Sequence, residues 1–87
     1  IAELSLTMLK QLDLLKDYGN KNALSDVGVS SLMLYAALEG AILNVKINLP
    51  GVSDEKLKQS LTQKVTNMLE EGKAQSNSII KTIHASL

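Results

Sequence analysis

The sequence predicts an all-α protein of three long helices, and three observations carry that prediction. Apolar residues recur at helical spacing over most of the 87 residues. Two turn signals, Tyr18-Gly19-Asn20 and Pro50-Gly51, divide the pattern into three runs. There is no strand signal longer than a turn, and no repeat or low-complexity tract.

The first run, Ile1 to about Asp17, reads as helix one. Ile1, Leu4, Met8, Leu12 and Leu15 form its stripe, and Leu6, Leu9 and Leu14 widen it beyond one narrow face. A helix so broadly apolar has neighbours on more than one side. Gly19 and Asn20 end it, because both residues accept the left-handed conformation of a helix C-terminus.

Helix two is expected to begin between Asn22 and Ser25, with either residue capping the first turn and Asp26 placed where the helix dipole favours a negative charge. Its apolar residues, from Val27 to Val45, point all round, which predicts a buried central helix holding a few polar groups. Ser30, Met33, Ala37, Gly40 or Ala41, and Asn44 share one face. Gly28 and Gly40 each cost about 0.5–1 kcal/mol relative to Ala in a helix, so a close helix contact is expected at them. Pro50 biases Leu49 away from helix, so the element ends near Ile47 or Asn48.

Helix three is expected to start with Ser53 as N-cap, Asp54 and Glu55 in its first turn, and Val52 stapled to Leu57. Its stripe runs Leu57, Leu61, Val65, Met68, Leu69, Gly72, Ser76, Ile79, Ile80, Ile83 and Leu87. Apolar content thins after Glu70, which predicts a kink or a close crossing at Gly72.

Size sharpens the expectation. A compact chain of this length has a radius of gyration of about 12 Å. A continuous third helix of about 34 residues would be about 50 Å long. Three such rods form no sphere and leave the back of helix two uncovered. The chain is therefore expected to pair with copies of itself or with a further part of its own domain. Beginning at Ile1 in mid-pattern, it also reads as joined in mid-domain or trimmed.

Composition excludes several functions. Nine acidic and nine basic residues, spread along the chain, give no basic stripe for nucleic acid. Two tyrosines are the only aromatics, too few for base stacking. The absence of cysteine removes disulfides and thiolate metal sites and suits the reducing cytoplasm. Val27 to Leu49 is long enough to span a bilayer. Its Glu39 and Lys46 would each cost about 2.5–3.5 kcal/mol at the centre of such a span, and no aromatic belt flanks it, so no membrane is expected. The single histidine, His84, cannot build a histidine-rich metal site, and no metal is expected.

Nucleophile elbows, phosphate-binding glycine loops and helical His-Glu-x-x-His motifs are absent. Asp26 carries two readings: a carboxylate satisfying first-turn amides, or a general acid-base group at the mouth of a pocket made with the Gly19–Ser25 turn. Asn44 and Asn48, one turn apart, read either as interhelix hydrogen bonds that fix packing or as amides that hold a polar heterocycle. Tyr35, Glu39 and Lys46 form a solvated or interface edge.

Two segments carry a resemblance. Gly19-Asn20-Lys21-Asn22-Ala23-Leu24-Ser25-Asp26-Val27-Gly28-Val29, followed by Ala41-Ile42-Leu43-Asn44-Val45-Lys46-Ile47-Asn48-Leu49, resembles the cyclodeaminase/cyclohydrolase family. That family includes the C-terminal domain of formiminotransferase-cyclodeaminase and bacterial methenyltetrahydrofolate cyclohydrolases. The resemblance covers nearly the whole chain and implies an up-and-down helical bundle that dimerises or assembles further, the chain being the C-terminal half of the domain. It implies folate one-carbon chemistry: closure of formiminotetrahydrofolate to methenyltetrahydrofolate with release of ammonia, or interconversion of methenyl- and formyltetrahydrofolate by water. Neither needs a metal or a cofactor beyond the tetrahydrofolate substrate. On this reading Asp26 is the catalytic residue, and Asn20, Asn22, Ser25, Asn44 and Asn48 hold the folate. Lys21 stands where the family usually has proline, and the family's glycine-rich N-terminal half is not in these residues. The competing expectation is a non-catalytic helical oligomerisation module.

Overall fold

The computed structural model describes residues 1–15 and 21–87, with side chains described for 1–12 and 23–87. The described residues form three helices packed together: α1 (Ala2–Leu15), α2 (Lys21–Asn48) and α3 (Glu55–Ser86), with a 3₁₀ turn, Leu49–Gly51, between the last two. The predicted end of helix one, Tyr18-Gly19-Asn20, lies outside the described residues.

Cross-helix partners define the topology. Gly28 meets Ile83, Leu38 meets Gly72, and Ser31 bonds Ser76, so α2 and α3 run antiparallel. Lys10 pairs with Glu71 at 3.3 Å and Lys64 with Glu3 at 2.6 Å, so residue numbers rise together and α1 runs parallel to α3. The order is up-down-up. The rod measures 50 × 16 × 15 Å with a radius of gyration of 15.1 Å, well above the compact value.

Helix α3 stays continuous through Gly72, so the expected feature there is a close crossing. A methyl group built on Gly72 would overlap Leu38 Cδ2 and lie 3.7 Å from Leu6 Cδ1. All three helices therefore meet at this point. Around it lies the core of Leu6, Leu9, Leu24, Leu38, Ile42, Val65, Met68, Ile79 and Ile83. Ser31 and Ser76 are buried in the same layer and share a 3.1 Å hydrogen bond, which satisfies two hydroxyls out of reach of water.

Several local expectations are corrected. Asp54, not Ser53, caps α3: its Oδ1 accepts from the amides of Lys56 at 3.0 Å and Leu57 at 3.1 Å. The cap shifts by one residue, and a carboxylate shares its two bonds better than a hydroxyl would. This puts Val52 out of staple register, and Leu57 is about half exposed. Replacing Asp54 by Ala is expected to lower stability by about 0.5–2 kcal/mol, measured by denaturant unfolding, while Ser53→Ala changes it little.

Helix α2 starts at Lys21, earlier than expected. Asn22 and Ser25 thus lie inside the helix and neither is its N-cap, and Asp26 falls in the second turn. On α1 the inward face is Ser5, Leu6 and Leu9, whereas Ile1, Leu4 and Met8 face outward. Of the stripe read for helix one, Leu12 packs against the core while Ile1, Leu4 and Met8 turn outward, and the buried positions are the widening residues Leu6 and Leu9, because α1 lies in a groove formed by two neighbours. The two glycines of α2 also differ. A Cβ on Gly28 would press on Ile83 Cδ1 at 3.2 Å, while at Gly40 nothing lies within 4 Å.

Candidate functional site at the two ends of helix α2

Helix α2 has two opposite apolar faces. One, through Leu24, Gly28, Ser31, Leu38 and Ile42, is buried against α1 and α3. The other carries Val29, Leu32, Met33, Leu43 and Ile47, each more than half exposed, with the exposed small residues Ala36, Ala37 and Gly40 between them. The absence of a clear polar side reflects these two faces, not burial all round.

Asp26 and Asn44 are both exposed and lie on the same flank of that outer face. Eighteen residues separate them, about five full turns and about 27 Å along the axis. One copy of α2 does not bring them together. Ser25 is exposed beside Asp26. Asn22 contributes its backbone to α2, its side chain lying outside the described residues, as does the whole of Asn20. At the other end, Asn48 Nδ2 donates to the backbone oxygen of Asn44, one turn back along the same helix, at 2.8 Å.

Asn44 also lines the edge of a groove of about 390 Å³ between the three helices. Ala41, Val45, Leu61, Val65 and Met68 make its apolar floor, and Lys64 and Glu3 stand at its mouth. The Lys64 ammonium holds the Glu3 carboxyl below the usual carboxylate range, first by its hydrogen bond and then by its charge. Sequence reasoning missed this groove. The pairing of Lys64 with Glu3 requires the parallel packing of α1 on α3, which no local pattern announces. Further along α2, Tyr35 and Glu39 form the expected edge. Partial burial, and then the neighbouring Glu39 carboxylate, push the Tyr35 phenol above its ordinary value.

Among the described residues, no group of three or more His, Cys, Asp and Glu side chains is gathered as for a metal ion. Among the same described residues, one helical stretch, Ala23–Gly51, is long and apolar enough to cross a membrane by length and composition.

The family profile described as formiminotransferase-cyclodeaminase matches residues 1–67, more than half of the chain and including both ends of α2. The chain belongs to the formiminotransferase-cyclodeaminase family. Among curated relatives, a formimidoyltransferase-cyclodeaminase of Gallus gallus is 47% identical over 62 residues, covering 71% of this chain and 12% of that protein. A methenyltetrahydrofolate cyclohydrolase of Methylorubrum extorquens is 32% identical over 71 residues, covering 82% of this chain and 34% of that protein. A formimidoyltransferase-cyclodeaminase of Rattus norvegicus is 29% identical over 85 residues, covering 98% of this chain and 16% of that protein. The chain thus spans about a third or less of the length of these relatives. No solved structure matches. The family joins formiminotransferase-cyclodeaminases and methenyltetrahydrofolate cyclohydrolases, and at family level its theme is folate one-carbon metabolism.

Proposed function

We propose that the protein is a folate one-carbon enzyme, either a formiminotetrahydrofolate cyclodeaminase or a methenyltetrahydrofolate cyclohydrolase. The observation that carries this reading is the family match, which spans the Asp26 and Asn44 ends of α2. In the cyclodeaminase reaction one folate nitrogen adds to the formimino carbon bound to the other. The tetrahedral carbon that results expels ammonia, and the proton lost by the attacking nitrogen ends on the leaving amine. In the cyclohydrolase direction water adds to the methenyl carbon, and one carbon–nitrogen bond then breaks to leave a formyl group. Both routes need a group that moves a proton near a tetrahedral carbon, and Asp26 supplies an accessible carboxylate for it. Asn20, Asn22, Ser25, Asn44 and Asn48 supply the polar contacts to the folate. No metal or further cofactor takes part. The enzyme works in the cytoplasm as a homodimer or higher homo-oligomer.

Calorimetric titration of the protein with tetrahydrofolate tests the reading, and a saturable heat is expected. A flat titration with every reduced folate would favour the second reading, a non-catalytic oligomerisation module. That alternative has one observation of its own, the uncovered apolar face of α2. It expects Asn44→Leu to raise stability.

A further inference from the structure

We propose that the trough between the C-terminal part of α2 and the first turns of α3 is the subsite for the p-aminobenzoyl-glutamate half of a folate. The ring lies on the apolar floor, a glutamate carboxylate meets Lys64, and the pteridine side points toward Asn48. The proposal rests on the folate reading above and adds Lys64 and Glu3 as the residues that set affinity for the acidic tail.

The first argument is continuity. The groove of about 390 Å³ at Lys64 and a second hollow of about 360 Å³ beside the 3₁₀ turn share Asn44, Val45 and Leu61, so the two form one trough. Small-molecule sites usually measure about 300–1,000 Å³. From Ala41 to Asn48 the trough follows two turns of α2, about 10 Å. That length takes a benzene ring, an amide and a short acidic side chain in line.

The second argument is the order of chemistry along the trough. Asn48 lines the end beside the turn, and Asn44 stands on the shared edge. Val45 and Leu61 make the middle, and Met68 continues the floor toward Lys64. Met68 is buried, and a thioether is a favourable neighbour for an aromatic ring. Amide, apolar floor and cation thus follow one another, matching heterocycle, ring and carboxylate in the ligand. A plain hydrocarbon would use only the middle, and a compact anion only Lys64.

The third argument is that a carboxylate already sits on the cation. Lys64 Nζ lies 2.6 Å from Glu3 Oε1 at the mouth. The two side chains are 59% and 71% exposed, so their pairing contributes little to the fold. It marks the place where a carboxylate meets Lys64 at the trough mouth. An incoming carboxylate takes over the ammonium, and Glu3 turns out into solvent. Glu3 is therefore a competitor that weakens the binding of acids and leaves neutral ligands alone.

Calorimetric titration of the full-length natural protein with p-aminobenzoyl-glutamate, and with its uncharged dimethyl ester, tests this. The acid is expected to bind saturably and about 5-fold more tightly than the ester, the strong end for an exposed ion pair. Lys64→Met is expected to remove that 5-fold advantage and leave ester binding unchanged, while Glu3→Gln is expected to strengthen the acid by a similar factor. Both side chains are exposed, so the unfolding midpoint should hold in each variant. Absence of saturable binding by the acid, as when another segment of the natural protein fills the trough, would overturn the proposal. Equal losses for acid and ester on Lys64→Met would overturn it too, since they report a change of shape and not of charge. The folate reading registers separately. A flat titration with tetrahydrofolate beside Lys64-dependent binding of the acid would sink that reading while upholding the trough as an aryl carboxylate site. Saturable tetrahydrofolate binding that is indifferent to Lys64→Met would sink the tail subsite alone.

Discussion

Replacing Leu38 by Ala is expected to cost about 2–5 kcal/mol, the range for large-to-small changes in a packed core. Leu38 is fully buried and rests on Gly72 at the point where all three helices meet. A domain of this size is stable by only about 4–13 kcal/mol at 0.05–0.15 kcal/mol per residue, so the variant should sit near the edge of folding. The same contact makes Gly72→Ala destabilising by about 1–3 kcal/mol through overpacking. About 0.5–1 kcal/mol of helix preference for Ala offsets part of that. The two changes should not add. In the Leu38→Ala background the methyl group at Gly72 enters the space left by the leucine, so its cost should vanish or change sign. Denaturant unfolding of the four chains measures this, and additive losses would contradict the contact.

Asp26→Asn is expected to slow folate turnover by about 10²–10⁴-fold, the contribution typical of a positioned acid-base group. The amide keeps the shape of the side chain and cannot carry the proton. Asp26 is exposed, so the fold should not notice: surface changes usually stay within about 0.5 kcal/mol. The expected signature is an unchanged unfolding midpoint with a large loss of kcat. Unchanged turnover would remove Asp26 from the mechanism.

The architecture was legible because it is written in period and punctuation. Pro50 and Gly51 place the turn, and the α3 stripe from Val65 to Ile83 is the buried face the spacing predicts. Gly72 was legible too, since a glycine in an apolar helical stripe signals a close approach. Faces were harder. In α1 the residues Ile1, Leu4 and Met8 have the right spacing but face outward, because Ser5, Leu6 and Leu9 fit the groove between α2 and α3. Periodicity gives the width of an apolar surface; which part is covered depends on neighbours. In α2 that ambiguity doubled, with one face covered and the opposite face open. Caps shifted by a residue or more for a related reason, since Ser53 and Asp54 are both good caps and only the turn geometry after Pro50 selects between them. The candidate site is the least legible part. Asp26 and Asn44 stand out as residue types, but one copy of α2 holds them about 27 Å apart. The Glu3–Lys64 pair at the groove mouth depends on α1 lying parallel to α3.

The central claim is that this chain serves a folate one-carbon reaction through the polar ends of α2. Its most direct test is turnover by the natural protein, followed as formation of methenyltetrahydrofolate from formiminotetrahydrofolate and, separately, as loss of methenyltetrahydrofolate to water. Saturable conversion is expected in one of the two assays, lost on Asp26→Asn. Conversion in neither, by a folded protein, would contradict it.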